Sequence, residues 1–319
     1  MGTTEFPNPE LSGQGENLIE VPKDFLVRLQ EGIVHRRIDD GIICLREHEP
    51  LLEALHPRQR NAGHLVGYLA QWIDIGFDHP FRLKELLARF PTETRAALSL
   101  SDYVYLRMAE GMLTMNNEAS HEALAHFNVV LALGGDLRDE QTLAVANFWK
   151  ARCLRKVGDY DEALIYTVKA RNLVLKLGYP KMAAVMRVLE SWLMFQKGKV
   201  KDAEQILQEA EDVLRTTDDF IALGNIHSSY GRMARREGNY DKAIHHFARA
   251  IEEYRKRGSE HPHLARTLAN IALVKRLVSR SLGNKIDAQM RRRRKAAARG
   301  ERRASGRGLR AQGAQLGKR

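Results

Sequence analysis

Apolar side chains recur along this chain at the three- and four-residue spacing of amphipathic helices. Two stripes show the pattern well; they comprise Leu143, Val145, Ala146, Trp149, Ala151, Leu154 and Val157, then Met186, Leu189, Trp192, Leu193 and Phe195. No window alternates between apolar and polar residues for long. The pattern therefore predicts helices throughout and no strand-rich domain.

A second regularity has a period of 40 residues. Four alanines mark it, and they are Ala123, Ala163, Ala203 and Ala243. The last three end the segments GDYDEA, GKVKDA and GNYDKA, and a larger residue follows four positions later in each copy. A fixed period of this length predicts a stack of supersecondary units, because one unit cannot bury its apolar stripe alone.

Each unit is predicted to be a helical hairpin. The glycine at 158, 198 or 238 would end the first helix, since a left-handed backbone costs least without a Cβ atom. The second helix would begin near the following alanine. That small side chain would let two helices approach closely.

The repeated segment resembles the second half of the tetratricopeptide repeat, which typically reads Gly-Asp-Tyr-Asp-Glu-Ala, then a large apolar residue, then Ala. The best copy runs over residues 145–178, and the Ala123 copy has Asn-Asn-Glu-Ala at 116–119 where the turn glycine is expected. The usual unit has about 34 residues, and the spacing here is similar to longer-helix variants. The resemblance covers residues 98 to about 258. It implies an all-α, right-handed superhelical solenoid of antiparallel helix pairs.

Four regions are predicted along the chain. Residues 1–21 form a disordered leader, 22–97 degenerate helical repeats, 98–280 the repeat array, and 281–319 a basic tail. Within the second region, apolar stripes at 25–34, 42–55, 64–75 and 83–90 predict helices, and Gly41 takes the small-residue position of a degenerate turn. Residues 264–278 read as the first helix of a further unit.

Charge is concentrated at one end of the chain. Residues 280–319 hold 14 Lys and Arg against 2 Asp and Glu, a net of +12, while the other 279 residues have a net of −1. The centre of this tail is Arg291, Arg292, Arg293, Arg294 and Lys295. So little apolar surface predicts disorder after about residue 283.

The tail has several interpretations. It could neutralise phosphates of nucleic acid or an anionic membrane, although no aromatic residue follows Tyr254 to stack on bases. It could also be a solubilising extension, an eroded last repeat over 285–299, or out-of-frame sequence.

Motifs for catalysis or cofactor binding are absent from the sequence. It contains no glycine-rich nucleotide loop, no nucleophile elbow and no His-Glu-x-x-His motif. The paired histidines at 245–246 and at 261 and 263 lack further ligands, so no metal site, cofactor or enzyme activity is predicted. Cys44 and Cys153 lie in helical stripes and read as buried thiols. With no apolar run near 18 residues, these features favour a cytoplasmic location.

The resemblance also implies a groove lined by the first helix of each unit. Carried over residue by residue, the lining comprises Phe148, Trp149, Arg152, Arg155 and Lys156, then Trp192 and Phe195, then Arg232, Arg235 and Arg236. The aromatic members could instead be ordinary core, and the arginines a solvated helix face. The repeat family's paired Lys and Asn for a free carboxyl terminus are not reproduced.

The functional expectation is a non-enzymatic adaptor or regulatory scaffold that binds a partner protein or peptide, acidic in character, in this groove. The alternative is a nucleic-acid-associated regulator that uses the basic tail. Salt separates the two, because binding of a polyanion by the tail weakens steeply with ionic strength.

Overall fold

The computed structural model describes residues 20–258 and 262–316, with backbone alone for 293, 294 and 296–316. Within them the chain forms fifteen helices and no strand. In chain order they are α1 Lys23–His35, α2 Ile38–Glu47, α3 Glu49–Glu53, α4 Ala62–Ile75, α5 Pro80–Ala88, α6 Thr92–Arg95, α7 Leu100–Asn116, α8 Ser120–Leu137, α9 Glu140–Val157, α10 Tyr160–Lys176, α11 Pro180–Gln196, α12 Val200–Leu214, α13 Phe220–Arg236, α14 Tyr240–Arg255 and α15 Pro262–Leu316.

The described residues divide into two compact units. Unit 1 comprises 20–226 and 253–258, and unit 2 comprises 227–252 and 262–316. In unit 1 consecutive helices from α7 to α12 pack against one another, and α4 packs on α7. The all-α repeat of antiparallel helix pairs predicted from the sequence is confirmed.

The turns inside the repeats have the predicted backbone. Gly158 has a φ of 100° and Gly198 a φ of 80°, and each lies directly before a second helix begins. The Gly158 N–H donates to the carbonyl of Leu154 at 2.9 Å, which satisfies one of the free carbonyls at the end of α9. Only glycine adopts this conformation without a steric penalty.

The repeat alanines are buried at helix contacts. Ala163 has no exposed surface and packs in a cluster with Leu154, Leu189 and Leu193. Ala203 is equally buried, and its carbonyl accepts a 2.7 Å hydrogen bond from the Ser191 hydroxyl on the preceding helix. The 40-residue period therefore marks the positions where two helices come closest.

The N-terminal helices pack on Trp72 of α4. This ring is fully buried, and a Cβ atom at Gly41 would lie 2.0 Å from it. Glycine is required here by the close approach of α2, which agrees with the small-residue position predicted at 41. The predicted leader ends earlier than expected, since Val21 is buried and its N–H donates to the Arg60 carbonyl at 3.2 Å. Residues 1–19 lie outside the described part.

Unit 2 has a core of its own. Ala234, Ala243, Phe247 and Val274 form it, and a Cβ atom at Gly231 would lie 2.7 Å from the Phe247 ring. The predicted first helix of a further repeat corresponds to the start of α15.

The tail differs from the sequence prediction. The structure continues α15 as helix to Leu316, where disorder was predicted after about residue 283. Ala, Arg, Lys, Gln and Leu, which have high helix propensity, make up much of this stretch, and Pro262 is its only proline. Composition can forbid a packed core without forbidding a single helix.

Candidate functional site

A groove in unit 1 lies where helices α4, α9 and α11 meet α1. Its cavity has a volume of about 60 Å³. The lining residues are Ile33, Arg36, Gln71, Asp74, Ile75, Val145, Phe148, Trp149, Met182, Val185 and Met186. The repeat phase predicted the contributions of α9, but the sequence gave no sign that α1 would cover them.

The aromatic residues predicted for the groove differ in exposure. Trp149 and Phe195 are buried, at 3% and 4% exposure, while Phe148 and Trp192 are half-buried. Phe148 and Trp149 line the groove together. Trp192 lies elsewhere in unit 1, where the edge of Tyr160 meets its ring with centroids 5.4 Å apart.

Arg152 is held by an acid that the sequence analysis did not single out. Its two terminal nitrogens donate to the carboxylate of Asp74 at 2.8 and 3.0 Å, and its guanidinium lies 3.9 Å from the centroid of the Trp149 ring. A paired, stacked arginine of this kind is fixed in position and largely neutralised. The signal for Asp74 was a lone carboxylate in the otherwise apolar stripe of α4.

Arg155 and Lys156 have different surroundings. The Arg155 guanidinium lies 5.1 Å from the centroid of the Trp192 ring, which joins α9 to α11 by a cation–π contact. The exposed Lys156 donates to the carbonyl of Met115 at 2.7 Å. Trp192, Arg155 and Lys156 thus form a partly exposed aromatic and basic surface on unit 1.

The predicted arginines of α13 belong to unit 2. Arg232 Nε donates to the Ser228 carbonyl at 3.2 Å, and Arg235 donates to the Asn270 side chain of α15 at 3.0 Å. Arg236 is exposed. Within unit 2, Arg235 therefore helps to connect two helices.

The basic tail is exposed where side chains are described. Arg291, Arg292 and Lys295 present their side chains to solvent, whereas those of Arg293 and Arg294 lie outside the described part. Val278, Leu282, Ile286 and Met290 are also exposed, at four-residue intervals on the same helix.

The junction of α1 and α2 is joined to the segment before α13 by a set of charged contacts. Asp219 accepts from Arg36 Nε at 2.8 Å and from its terminal nitrogen at 2.5 Å, and both side chains are buried. Asp218 accepts from the backbone N–H groups of Ile38, at 2.8 Å, and Asp39. We call these residues, together with Arg257, the ionic clasp.

Arg257 completes the ionic clasp. One terminal nitrogen donates to the Asp39 carboxylate and the other to the Asp218 carbonyl at 2.5 Å. Burial opposes ionisation of Asp218, but the N–H groups of Asp39 and Ile38 outweigh it and hold the pKa of this carboxyl below its usual value. Arg257 and Asp218 were not among the residues predicted to be functional.

A larger depression lies over α3 and α5. Its volume is about 730 Å³, and its charged lining comprises Glu49, Glu53, Asp78, Arg82, Glu85 and Arg89. Arg82 pairs with both Asp78 and Glu49, and Arg89 donates to three backbone carbonyls at the end of α3. These ion pairs and caps stabilise the local helices.

A serine, a histidine and an aspartate are hydrogen-bonded in series between α4 and α7. Ser101 Oγ lies 2.9 Å from His64 Nε2, and His64 Nδ1 lies 3.2 Å from Asp102. Neither cavity above is lined by these residues. Asp102 also bonds to Ser99 at the first turn of α7, so the arrangement joins two helices and caps one.

Other chemistry finds little support in the described residues. They contain no cluster of three His, Cys, Asp or Glu side chains that could hold a metal ion. Burial raises the pKa of the Cys153 thiol to about 11, which disfavours the reactive thiolate. Within the same residues, every helix is too short or too polar to cross a membrane.

The comparisons with known proteins agree with this architecture. Residues 223–281 match the tetratricopeptide repeat family. The fold is similar to NprR in complex with its cognate peptide NprX, at 12% identity over 80% of this chain and 73% of that one, with a TM-score of 0.61. It is also similar to apo NprR from B. thuringiensis (13%, 81% and 71%, 0.54) and to a Rap protein complexed with Competence and Sporulation Factor (13%, 80% and 75%, 0.51). No curated protein matches the sequence. At these identities the likeness concerns the fold.

Proposed function

Because the chain is a helical repeat protein of the tetratricopeptide type, we propose that it is a non-enzymatic binding module that holds a peptide or a short helix of a partner protein on unit 1. One observation carries the proposal. The face formed by α4, α9 and α11 already holds a helix, since Ile33 and Arg36 of α1 lie among its apolar side chains. A surface that accommodates an amphipathic helix of its own chain has the shape and chemistry to accommodate another.

The binding energy would come from few residues. Val185 and Phe148 in the groove and Trp192 beside it are half-buried, so part of each surface is available for a partner. Arg155 stacks on Trp192, and Lys156 is one residue further along α9. A partner with an apolar side chain and a nearby carboxylate fits this combination, because desolvated aromatic and arginine side chains dominate interface energies.

Two neighbours in fold support a peptide as the partner. NprR has been crystallised with its cognate peptide NprX, and a Rap protein with Competence and Sporulation Factor. A cytoplasmic location goes with this proposal, since both cysteines are free and buried. The polyanion alternative rests on the charge of the tail alone, and no contact or comparison adds to it.

The test is capture of the full chain on an immobilised random peptide library. We expect Val185→Glu and Trp192→Ala to reduce retention by about tenfold or more, because truncation of a central aromatic costs about 2 kcal/mol. Ile165→Ala is the matched control, since this side chain is 65% exposed on the second helix α10. Equal retention of all three variants would place binding elsewhere.

Arg232→Glu combined with Arg235→Glu examines the predicted groove residues of unit 2. We expect this change to alter salt dependence and association rate if these side chains steer an acidic partner. An unchanged peptide profile with an unchanged melting curve would leave them as surface and helix-connecting residues.

A further inference from the structure

We propose that the ionic clasp is a gate that controls access to the groove, an inference that rests on the function proposed above. Arg36 belongs to both features, because it lines the groove and pairs with Asp219. When the clasp is closed, Ile33 and Arg36 cover Met182 and Val185. When it opens, the end of α1 moves away and the face of α11 becomes available to a partner.

The contacts that hold the end of α1 over this face are mainly polar. Besides Ile33, they consist of the Arg36–Asp219 pair, a hydrogen bond between the side chains of Gln30 and Gln141, and an edge contact of His35 with the Tyr179 ring. Charges regain hydration on opening, so a buried ion pair adds little net stability. This interface can therefore open while the apolar contacts of α1 with α2 and α4 stay formed.

The backbone of Arg36 is held in an unfavourable conformation. Its φ of 53° is in the left-handed region, which an arginine occupies at a cost of about 1–2 kcal/mol. Such a conformation persists only where surrounding contacts enforce it. The Arg36 side chain supplies these contacts through Asp219 and the Ile33 carbonyl. Opening the clasp would let this residue relax, which favours the open state.

The first turn of α2 depends on the clasp. Arg37, which precedes α2, makes no side-chain capping bond, and the Asp218 carboxylate accepts from Ile38 and Asp39 instead. A cap from a segment about 180 residues away links the start of α2 to the state of the groove. The exchange of these two amide protons therefore reports directly on clasp opening.

The experiment uses the full chain with Asp219→Asn. Asparagine can still accept the N–H of Ala222, which caps α13 at 3.0 Å, but it lacks the charge that holds Arg36. We expect amide exchange at residues 38 and 39 to accelerate at least tenfold, the change that corresponds to about 1.4 kcal/mol. We also expect maleimide to label Val185→Cys at least tenfold faster in the Asp219→Asn background.

Glu190→Gln is the matched control. Glu190 pairs with Arg171 at 2.6 Å, which joins α10 and α11 away from the clasp, so its loss should change neither rate. If Asp219→Asn does not fold, Arg36→Gly removes the same pair and relieves the backbone strain. Unchanged exchange and labelling in either folded variant would overturn the gate. Both readouts are independent of any ligand, so failure of all peptides to bind would refute the proposed function separately.

Discussion

Glu118 takes the left-handed conformation at the one clear repeat turn that lacks glycine. Its φ is 65°, whereas Gly158 and Gly198 have the same role in later copies. The hydrogen bonds of the turn are still made, with the Ala119 N–H donating to the Thr114 carbonyl at 3.2 Å. The weakest copy in the sequence therefore forms the same turn under steric strain.

Glu118→Gly should stabilise the protein by about 0.5–1 kcal/mol, because it removes the Cβ clash at positive φ and the entropy of glycine offsets part of the gain. Denaturant unfolding at 25 °C measures this difference. Glu118→Ala keeps the Cβ atom and serves as the control. A gain of similar size in both variants would mean that loss of the negative charge is responsible.

Ala163→Leu and Ala203→Leu should each destabilise the array by about 1–3 kcal/mol. Both side chains are fully buried at helix contacts, so added methylene groups force neighbours apart. Lys201→Leu changes an exposed position in the same segment and should have little effect. Thermal melts of all three variants decide the matter. If the alanine variants melt with the parent, the repeat phase is misassigned.

At the scale of helices, α4 and α7 meet at Asp102. Burial opposes ionisation of this carboxyl, but hydrogen bonds from His64 and Ser99 outweigh it and lower its pKa below the ordinary 3.8. A carboxyl with a lowered pKa contributes stability above pH 3.8, and that contribution is lost as the pH falls through the folded-state value.

Asp102→Asn should cost about 1–2 kcal/mol at neutral pH, because a charged acceptor is lost. It should also flatten the fall in stability between pH 5 and pH 3. Denaturant unfolding across this range gives both numbers. Asp161→Asn, at a side chain that is 80% exposed, controls for the change in net charge. An unchanged acid limb would show that Asp102 does not govern it.

The helices, their turns and the small residues at their contacts could be predicted because they depend on local spacing and on a repeat seen several times. The partners of individual side chains could not. Asp74 meets Arg152 across 78 residues, and Asp219 meets Arg36 across 183. Such pairs depend on how successive hairpins stack, and neither periodicity nor composition encodes that geometry. For the same reason the sequence predicted a groove lined by α9 but not its cover by α1.

At the scale of the whole molecule, charge and packing are separated along the chain. The 279 residues before position 280 are nearly neutral, and the last 40 carry a net of +12. Val274 of α15 is buried, whereas Leu282 is 58% exposed, so packing on unit 2 ends between them.

Ending the chain at residue 283 should leave the thermal melt of the array nearly unchanged, because the residues removed bury little apolar surface. Circular dichroism then distinguishes the two descriptions of the tail. Loss of helical signal in proportion to the residues removed would support the continuous α15. An unchanged absolute signal would support disorder. Aggregation of the shortened chain would instead identify the tail as a capping element of the repeats.

The clasp also sets an order of events during synthesis. Arg36 leaves the ribosome 183 residues before Asp219 does. At about 5–20 residues per second, its partner is absent for roughly 10–40 s. Throughout that interval the first turn of α2 lacks its cap and the groove has no closed cover. The nascent chain therefore passes through an open form, and a ligand present during translation would meet that form before the finished protein could close.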